Sequence, residues 1–245
     1  ANGLAPATTA ATGVKFLRDD MSYKASAQSF EAFQEKFISY CEWFSDTSGT
    51  GWSLASNSGT INNDSNTADN LAVIGNRVGV ATFTSAAGAL TGHYAVIPST
   101  DFTMPQTTPI TIKCAINLNS ASAANLRVRF GIGVSATTAD STNQIACEIT
   151  ARTFQGRCKN GASASTTSST YTMASTTWYT IGMTIAAGGG TVTFFVLDGA
   201  TGASLFSGNV TTNIPSLSAR PVFAIANDAG GGVTKLATID NLYYE

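Results

Sequence analysis

Residues 178–199 read WYTIGMTIAAGGGTVTFFVLDG, and this stretch decides the fold class of the chain. Apolar side chains recur at every second position over 179–185, which is the period of a half-buried strand. The glycines at 188–190 allow the positive φ of a tight reversal, and a β-branched and aromatic segment follows them. The stretch therefore predicts a β-hairpin with Phe195 facing inward, followed by a turn at Asp198 and Gly199.

The same period-2 pattern extends over most of the chain. It is clearest at 108–118, and at 126–134 it places Arg127 and Arg129 on the solvated face. About a dozen strands separated by turn residues predict an all-β fold, an antiparallel β-sandwich. Residues 49–70 are polar and rich in turn residues, and they are not assigned to a strand. The further expected strands are 77–83, 93–98, 144–151, 153–159, 163–173, 203–211, 221–227 and 235–244.

The N-terminal part of the chain differs from the rest. Residues 1–28 contain few large apolar side chains, so we predict an extended arm over 1–28 and a sandwich domain over 29–245. Residues 26–38 allow a short helix, and a strand at 36–44 competes with its end. The arm is expected to contact a neighbouring subunit through its four apolar residues, Phe16, Leu17, Met21 and Tyr23.

The composition excludes several classes of partner. Charged residues make up 11% of the chain, whereas about 25% is usual. A net charge of −2 offers no overall attraction to nucleic acid or to an anionic membrane, so we expect neither as a partner. The N-terminus lacks the pattern of a signal peptide, and no apolar run is long enough to span a bilayer.

The four cysteines, at 41, 114, 147 and 158, are too widely spaced for a zinc pattern. Cys147 and Cys158 are placed to face each other across a short hairpin. A disulfide between them and a pair of buried free thiols both remain open, and synthesis in a reducing cytosol favours the thiols.

Motifs in the last third of the chain resemble those of the concanavalin A-like (laminin G-like) jelly roll, in the form found in tailed-phage virion structural proteins. Their order is a W-Y strand, an F-x-x-x-G strand, an N-I-P link and a closing I-D-x-x-Y strand. Residues 77–96 resemble the early hairpin of that family. The resemblance covers about residues 36–245, and its motif residues are Trp178, Tyr179, Phe195, Gly199, Asn213, Ile214, Pro215, Ile239, Asp240 and Tyr243.

The residue pattern does not favour an enzyme. Glucanases of this fold carry carboxylates as E-x-D-x-x-E on one strand, and none of the five glutamates here forms that motif. Glu42 and Asp46 come nearest, at a spacing that is wrong for one strand face. His93 is the only histidine, and no G-x-S-x-G elbow accompanies it.

No metal site and no cofactor are expected either. Sandwiches of this type often hold calcium through aspartates and carbonyl oxygens, but the chain has no D-x-D-x-D loop. Asp198 is expected to serve a turn instead, and Asp240 to cap the end of a strand.

The resemblance implies a non-enzymatic structural protein of a phage virion that acts by packing between subunits. It would be a capsid decoration (cement) protein or a fibre subunit at the virion surface, assembled in the host cytoplasm. Its partners would be other capsid or tail proteins, and a homo-oligomer is expected, with a trimer preferred.

The alternative is a carbohydrate-binding adhesin, a receptor-binding tail protein on the same scaffold. It would bind a cell-surface glycan through exposed aromatic side chains, for which Trp52 and Tyr94 are the candidates. Trp43 and Trp178 are expected in the core instead.

Overall fold

The structure is a computed structural model of the chain. It describes residues 37–38, 53–57, 59–64, 80–85, 91–96, 102–103, 106–118, 125–134, 141–216, 218–227 and 236–244. For the strands up to residue 103, for 218–219 and for 236–244, the description covers the backbone alone.

The described residues are almost entirely β-strand, as the period-2 pattern predicts. The other regular element is a single 3₁₀ turn at Ala187–Gly189. The strands are β1 (Phe37–Ile38), β2 (Ser53–Asn57), β3 (Gly59–Asp64), β4 (Val80–Ser85), β5 (Thr91–Val96), β6 (Phe102–Thr103), β7 (Ile110–Asn117), β8 (Leu126–Gly133), β9 (Asn143–Thr150), β10 (Thr153–Asn160), β11 (Ser163–Thr166), β12 (Tyr171–Thr172), β13 (Trp178–Ile185), β14 (Val192–Asp198), β15 (Ser204–Val210), β16 (Ser218–Asn227) and β17 (Leu236–Tyr244).

The strands form two antiparallel sheets. Sheet A has the order β15-β14-β13-β7-β17-β4-β3, with β1 beside β17. Sheet B has the order β11-β10-β9-β8-β16-β5-β2, with β12 beside β10 and β6 beside β16. The predicted hairpin is β13–β14, and β13 also pairs with β7 from Trp178↔Asn117 to Ile185↔Ile110. These pairings confirm the predicted antiparallel sandwich.

Two strands lie in the polar segment 49–70, where the sequence analysis assigned none. They are β2 and β3, which pair with β5 and β4 at the ends of the two sheet orders. A strand at a sheet edge needs fewer apolar side chains than a central one, because its stability comes mainly from backbone hydrogen bonds to one neighbour. Hydrophobic periodicity therefore misses such strands.

The core lies between the sheets and consists of the inward-facing residues of both. Phe194 of β14 reaches across from sheet A and lies on Gly156 of β10 in sheet B, where a Cβ atom would overlap the Phe194 ring. Beside this contact, the rings of Phe154 and Phe206 meet edge to face at 5.4 Å. Since the aromatic ring occupies the space of the missing side chain, Gly156 sets how closely the two sheets approach.

Phe195 does not face inward, so that prediction was wrong. Phe194 occupies the core, and Phe195, half-buried, lies on the outer face of sheet A against Gly182. A Cβ atom on Gly182 would come within 2.5 Å of the Phe195 Cζ atom. Trp178 is likewise half-buried rather than in the core, because strand alternation turns its neighbour Tyr179 inward.

Several predicted features lie outside the described residues. These are the arm at 1–28 with Phe16, Leu17, Met21 and Tyr23, and nearly all of the helix option at 26–38. The strand expected at 36–44 is described only as β1, which pairs with β17 through Phe37↔Tyr243 and Ile38↔Leu242.

The Gly156–Phe194 contact predicts a contrast between two glycine-to-alanine variants. Gly156→Ala should lower the free energy of unfolding by about 1–3 kcal/mol, because the new methyl group overpacks the core. Gly190→Ala is the control, since Gly190 has φ −76° and open space around its Cβ position. It should be neutral or stabilising by less than about 1 kcal/mol. Urea unfolding of both variants measures this, and equal stabilities would contradict the assigned sheet contact.

Candidate functional site

The outer face of sheet B carries a cluster of charged and amide side chains. The apolar residues of β8, β9 and β10 face the core, so the residues that alternate with them face away from it. On β16 the outward positions include the small residues Ala224 and Ala226 as well as Arg220. We use "outer face of sheet B" for this surface, whose charged and amide side chains are Arg127, Arg129, Gln144, Glu148, Gln155, Arg157, Lys159 and Arg220.

Two guanidinium groups hold one carboxylate at the centre of this face. Arg129 Nε donates to Glu148 Oε2 at 2.8 Å, and Arg157 Nη1 donates to the same oxygen at 3.3 Å. The Arg129 side chain is 5% exposed, whereas those of Arg157 and Glu148 are 18% and 16% exposed. The group is fixed by strand register, because Arg129 lies directly opposite Glu148 across β8 and β9. The arrangement of the three side chains is therefore fixed by the strands and by their own ion pairs.

Gln155 adds a fixed amide next to this ion pair. It lies opposite Glu148 on the next strand, and its Nε2 donates to the carbonyl oxygen of Thr167 at 3.2 Å. The alanines between the polar residues, such as Ala146 and Ala224, are buried. What the face offers to a ligand is thus the longer, half-buried polar side chains.

The structure places one of the two predicted glycan-contact residues in line with this cluster. Tyr94 of β5 pairs with Ala224 of β16, which pairs in turn with Arg129. Tyr94 thus belongs to the cross-strand row that contains Arg129, Glu148 and Gln155. Trp52 lies outside the described residues, and His93 pairs with Ile225 in the adjacent row.

Glu148 and Asp198 are the two carboxylates whose side chains the structure describes, and they lie on different sheets. Asp198 Oδ1 accepts hydrogen bonds from Thr201 N at 2.7 Å, Thr201 Oγ1 at 2.9 Å and Ala200 N at 2.9 Å. Hydrogen bonds from Thr201 and Ala200 lower the pKa of Asp198. The predicted turn role of Asp198 is confirmed. The two described carboxylates do not flank a common cleft, so they do not form a glycosidase pair.

The three described cysteines do not supply chemistry to a site. Cys114, Cys147 and Cys158 are buried free thiols, so no disulfide joins Cys147 to Cys158. Burial raises the pKa of Cys158 to about 12 and that of Cys147 well above its usual value. A thiol held neutral in this way is a poor nucleophile and a poor metal ligand. Among the described residues, no group of three metal-binding side chains is present.

Sequence reasoning did not find the Arg129–Glu148–Arg157 group. The alternation in residues 126–134 placed Arg127 and Arg129 on the solvated face, but Glu148 and Arg157 belong to two other strands. Only the register of β8, β9 and β10 brings the three residues together. The sequence did contain a signal for this group, because charged residues recur at outward positions of consecutive strands. Such recurrence is unusual in a chain with so few charges.

The ion pairs predict unequal costs for two charge-removing variants. Glu148→Gln should lower the free energy of unfolding by about 3 kcal/mol, because it removes the charged partner of the buried Arg129. Arg157→Gln is the control and should cost less, since it removes only the longer ion pair and leaves Glu148 paired with Arg129. Urea unfolding distinguishes the two. If Arg157→Gln proved the more damaging, Glu148 would not be the anchor of the group.

Comparison with known proteins agrees with the fold. The sequence pattern of the family described as SO2946-like, C-terminal domain, matches residues 76–240. No curated protein matches the sequence. Within the described ranges there is no helix with the length and hydropathy of a membrane span.

The solved structures that are similar to this one include three of particular interest. SO2946 from Shewanella oneidensis MR-1, a protein of unknown function, has a TM-score of 0.60 at 14% identity, over 91% of this chain and 97% of that chain. The CBM2 module of the evolved Dit of Lactobacillus casei BL23 phage J-1 has a TM-score of 0.50 at 14% identity, over 81% and 91%. Lectin I from Ulex europaeus, solved with the methyl glycoside of α-L-fucose, has a TM-score of 0.53 at 12% identity, over 85% and 95%. At these identities the likeness shows the fold, a concanavalin A-like jelly roll.

Proposed function

The chain belongs to the family of SO2946-like C-terminal domains, and we propose that it is a non-enzymatic carbohydrate-binding module. The observation that carries this proposal is the Arg129–Glu148–Arg157 group with Gln155 beside it. Sugar hydroxyls are bound by carboxylate, amide and guanidinium groups held in fixed positions. Here register and ion pairing hold all four side chains on one face of a rigid sandwich.

The similar structures support binding as the activity. One is a lectin in complex with the methyl glycoside of α-L-fucose, and another is the CBM2 module of a phage Dit protein. Because this fold hosts many functions, the similarity alone does not establish carbohydrate binding. The proposal therefore rests on the residues of the outer face of sheet B.

Binding is favoured over hydrolysis by the carboxylates. A glycosidase needs an acid and a second carboxylate on opposite sides of one bond. Glu148 is engaged by two arginines on sheet B, while Asp198 is engaged by turn donors at the end of β14 in sheet A. Neither described carboxylate has the other as a partner.

We further propose that the module acts at a virion surface, as a receptor-binding component. The phage J-1 Dit module supports this placement, because it is a similar sandwich within a phage protein. Packing between virion subunits is the second candidate, and the charge content of 11% favours it, since a surface with few charges opposes close contact less. The two candidate functions differ in their need for a ligand: receptor binding requires a sugar, whereas packing between subunits does not.

A glycan array with the purified full chain tests the proposed function. We expect saturable binding to at least one glycan with a Kd on the order of micromolar, and competition by the free sugar. Gln155→Ala should weaken binding about tenfold or more, because it removes a fixed amide from the site. Asn209→Ala is the matched control, since Asn209 is an exposed amide on β15 of sheet A.

If the purified chain binds no glycan on the array but still attaches to virion particles, the carbohydrate-binding proposal is overturned in favour of packing. Equal losses in the two variants would place the sugar elsewhere than on sheet B.

A further inference from the structure

We infer that the ligand of this face is an anionic polysaccharide, bound through its acidic groups by the cationic side chains on the outer face of sheet B. This inference rests on the proposed function and specifies its ligand class. The observation behind it is an unequal division of charge between the two sheets.

The strand residues of sheet B carry five cations and one carboxylate, Glu148, which gives a net charge of +4 with histidine neutral. Those of sheet A carry one cation, Lys113, and three carboxylates, which gives a net charge of −2. The whole chain has a net charge of −2, so its overall charge conceals a cationic sheet. The five cations of sheet B are Arg127, Arg129, Arg157, Lys159 and Arg220.

All five cations lie at outward positions. Arg127 and Arg129 alternate with the buried Leu126, Val128 and Phe130 on β8. On β10, Arg157 and Lys159 alternate with Gly156 and Cys158, which face the core. Arg220 pairs with Gly133 at the end of β8. A single face therefore collects five of the thirteen basic residues of the chain.

The spacing of these cations suits a chain molecule. Register places them in four successive cross-strand rows, from the row of Arg127 to the row of Lys159. Alternate residues of a strand are about 7 Å apart, so the rows span about 20 Å. A monosaccharide would contact one or two of these rows, whereas a polysaccharide extends over all of them.

The side-chain chemistry favours acidic groups on that chain. Four of the five cations are arginines, whose planar guanidinium group binds carboxylate, sulfate or phosphate through two parallel hydrogen bonds. Glu148 orients the guanidinium groups of Arg129 and Arg157 from within the protein.

A nucleic acid would also carry negative charge, but the strands that carry the five cations lack the aromatic residues that single strands require. Proteins that bind single strands stack bases on aromatic side chains. At the outward positions of β8, β9, β10 and β16 there is no aromatic residue. One aromatic residue, Tyr94 of β5, lies in the rows of these strands, whereas successive stacked bases need several, and this favours the polysaccharide.

The test compares two forms of one polymer with the full chain. Polygalacturonate carries a carboxylate on each sugar unit, and its fully methyl-esterified form has the same backbone without the charge. At low ionic strength we expect the acid form to bind at least about tenfold more tightly, with an affinity that falls as salt is added. Single-stranded DNA of similar length is the competing polyanion.

Two variants test whether polygalacturonate binds on the outer face of sheet B. Arg157→Gln/Lys159→Gln should weaken binding of polygalacturonate about tenfold, because it removes two cations that are half-buried rather than fully buried. Lys113→Gln, which removes the single strand cation of sheet A, should leave the affinity unchanged. Unfolding curves confirm that the variants are folded.

Each other outcome overturns the inference in a distinguishable way. Equal affinity for both polymer forms, or binding of neutral glycans only, would contradict an acidic ligand and leave the carbohydrate-binding function intact. Tighter binding of DNA than of polygalacturonate would assign the face to nucleic acid. Absence of binding to every glycan and to DNA would overturn both the inference and the proposed function.

Discussion

The contact of Phe194 with Gly156 fixes the geometry on which the rest of the sandwich depends. The ring from sheet A fills the space that any side chain at residue 156 would need, so it packs directly on the backbone of sheet B. Because Gly156 faces inward, strand alternation turns its neighbours Gln155 and Arg157 outward. The same contact that closes the core thus presents two of the proposed ligand-binding side chains.

This arrangement separates the apolar core from the charged surface. The inner faces hold the apolar residues, and the outer face of sheet B holds the ion pairs and the cations. Sheet A turns Phe195 and threonines such as Thr184 outward, with a hydrogen bond between Thr111 and Thr184 at 3.0 Å. A ligand that approaches the protein therefore meets two chemically different surfaces, and only that of sheet B has an excess of positive charge among its strand residues.

Much of the fold was predictable because hydrophobic periodicity is a local property. The patterns at 108–118 and 179–185 correspond to β7 and β13, and the positive φ angles of 74° at Gly188 and 69° at Gly189 match the predicted reversal. The period-2 pattern is ambiguous where two phenylalanines are adjacent, because it does not show which of Phe194 and Phe195 faces inward. The edge strands β2 and β3 were missed because their pairing depends on backbone hydrogen bonds rather than on an apolar face.

The candidate site was less predictable than the fold, because it depends on register between strands. Arg129 and Glu148 are 19 residues apart, and a shift of one residue in either strand would turn one of them toward the core. Net charge is a sum over the chain, so it could not reveal that one sheet is cationic. The central claim, that a glycan binds on the outer face of sheet B, is tested most directly by nuclear magnetic resonance of the arginine side chains during a glycan titration. Our account predicts saturable shifts of the Arg157 and Arg127 Nε–Hε signals, with unchanged backbone signals for Thr184 and Phe195 on sheet A. Shifts confined to sheet A would contradict it.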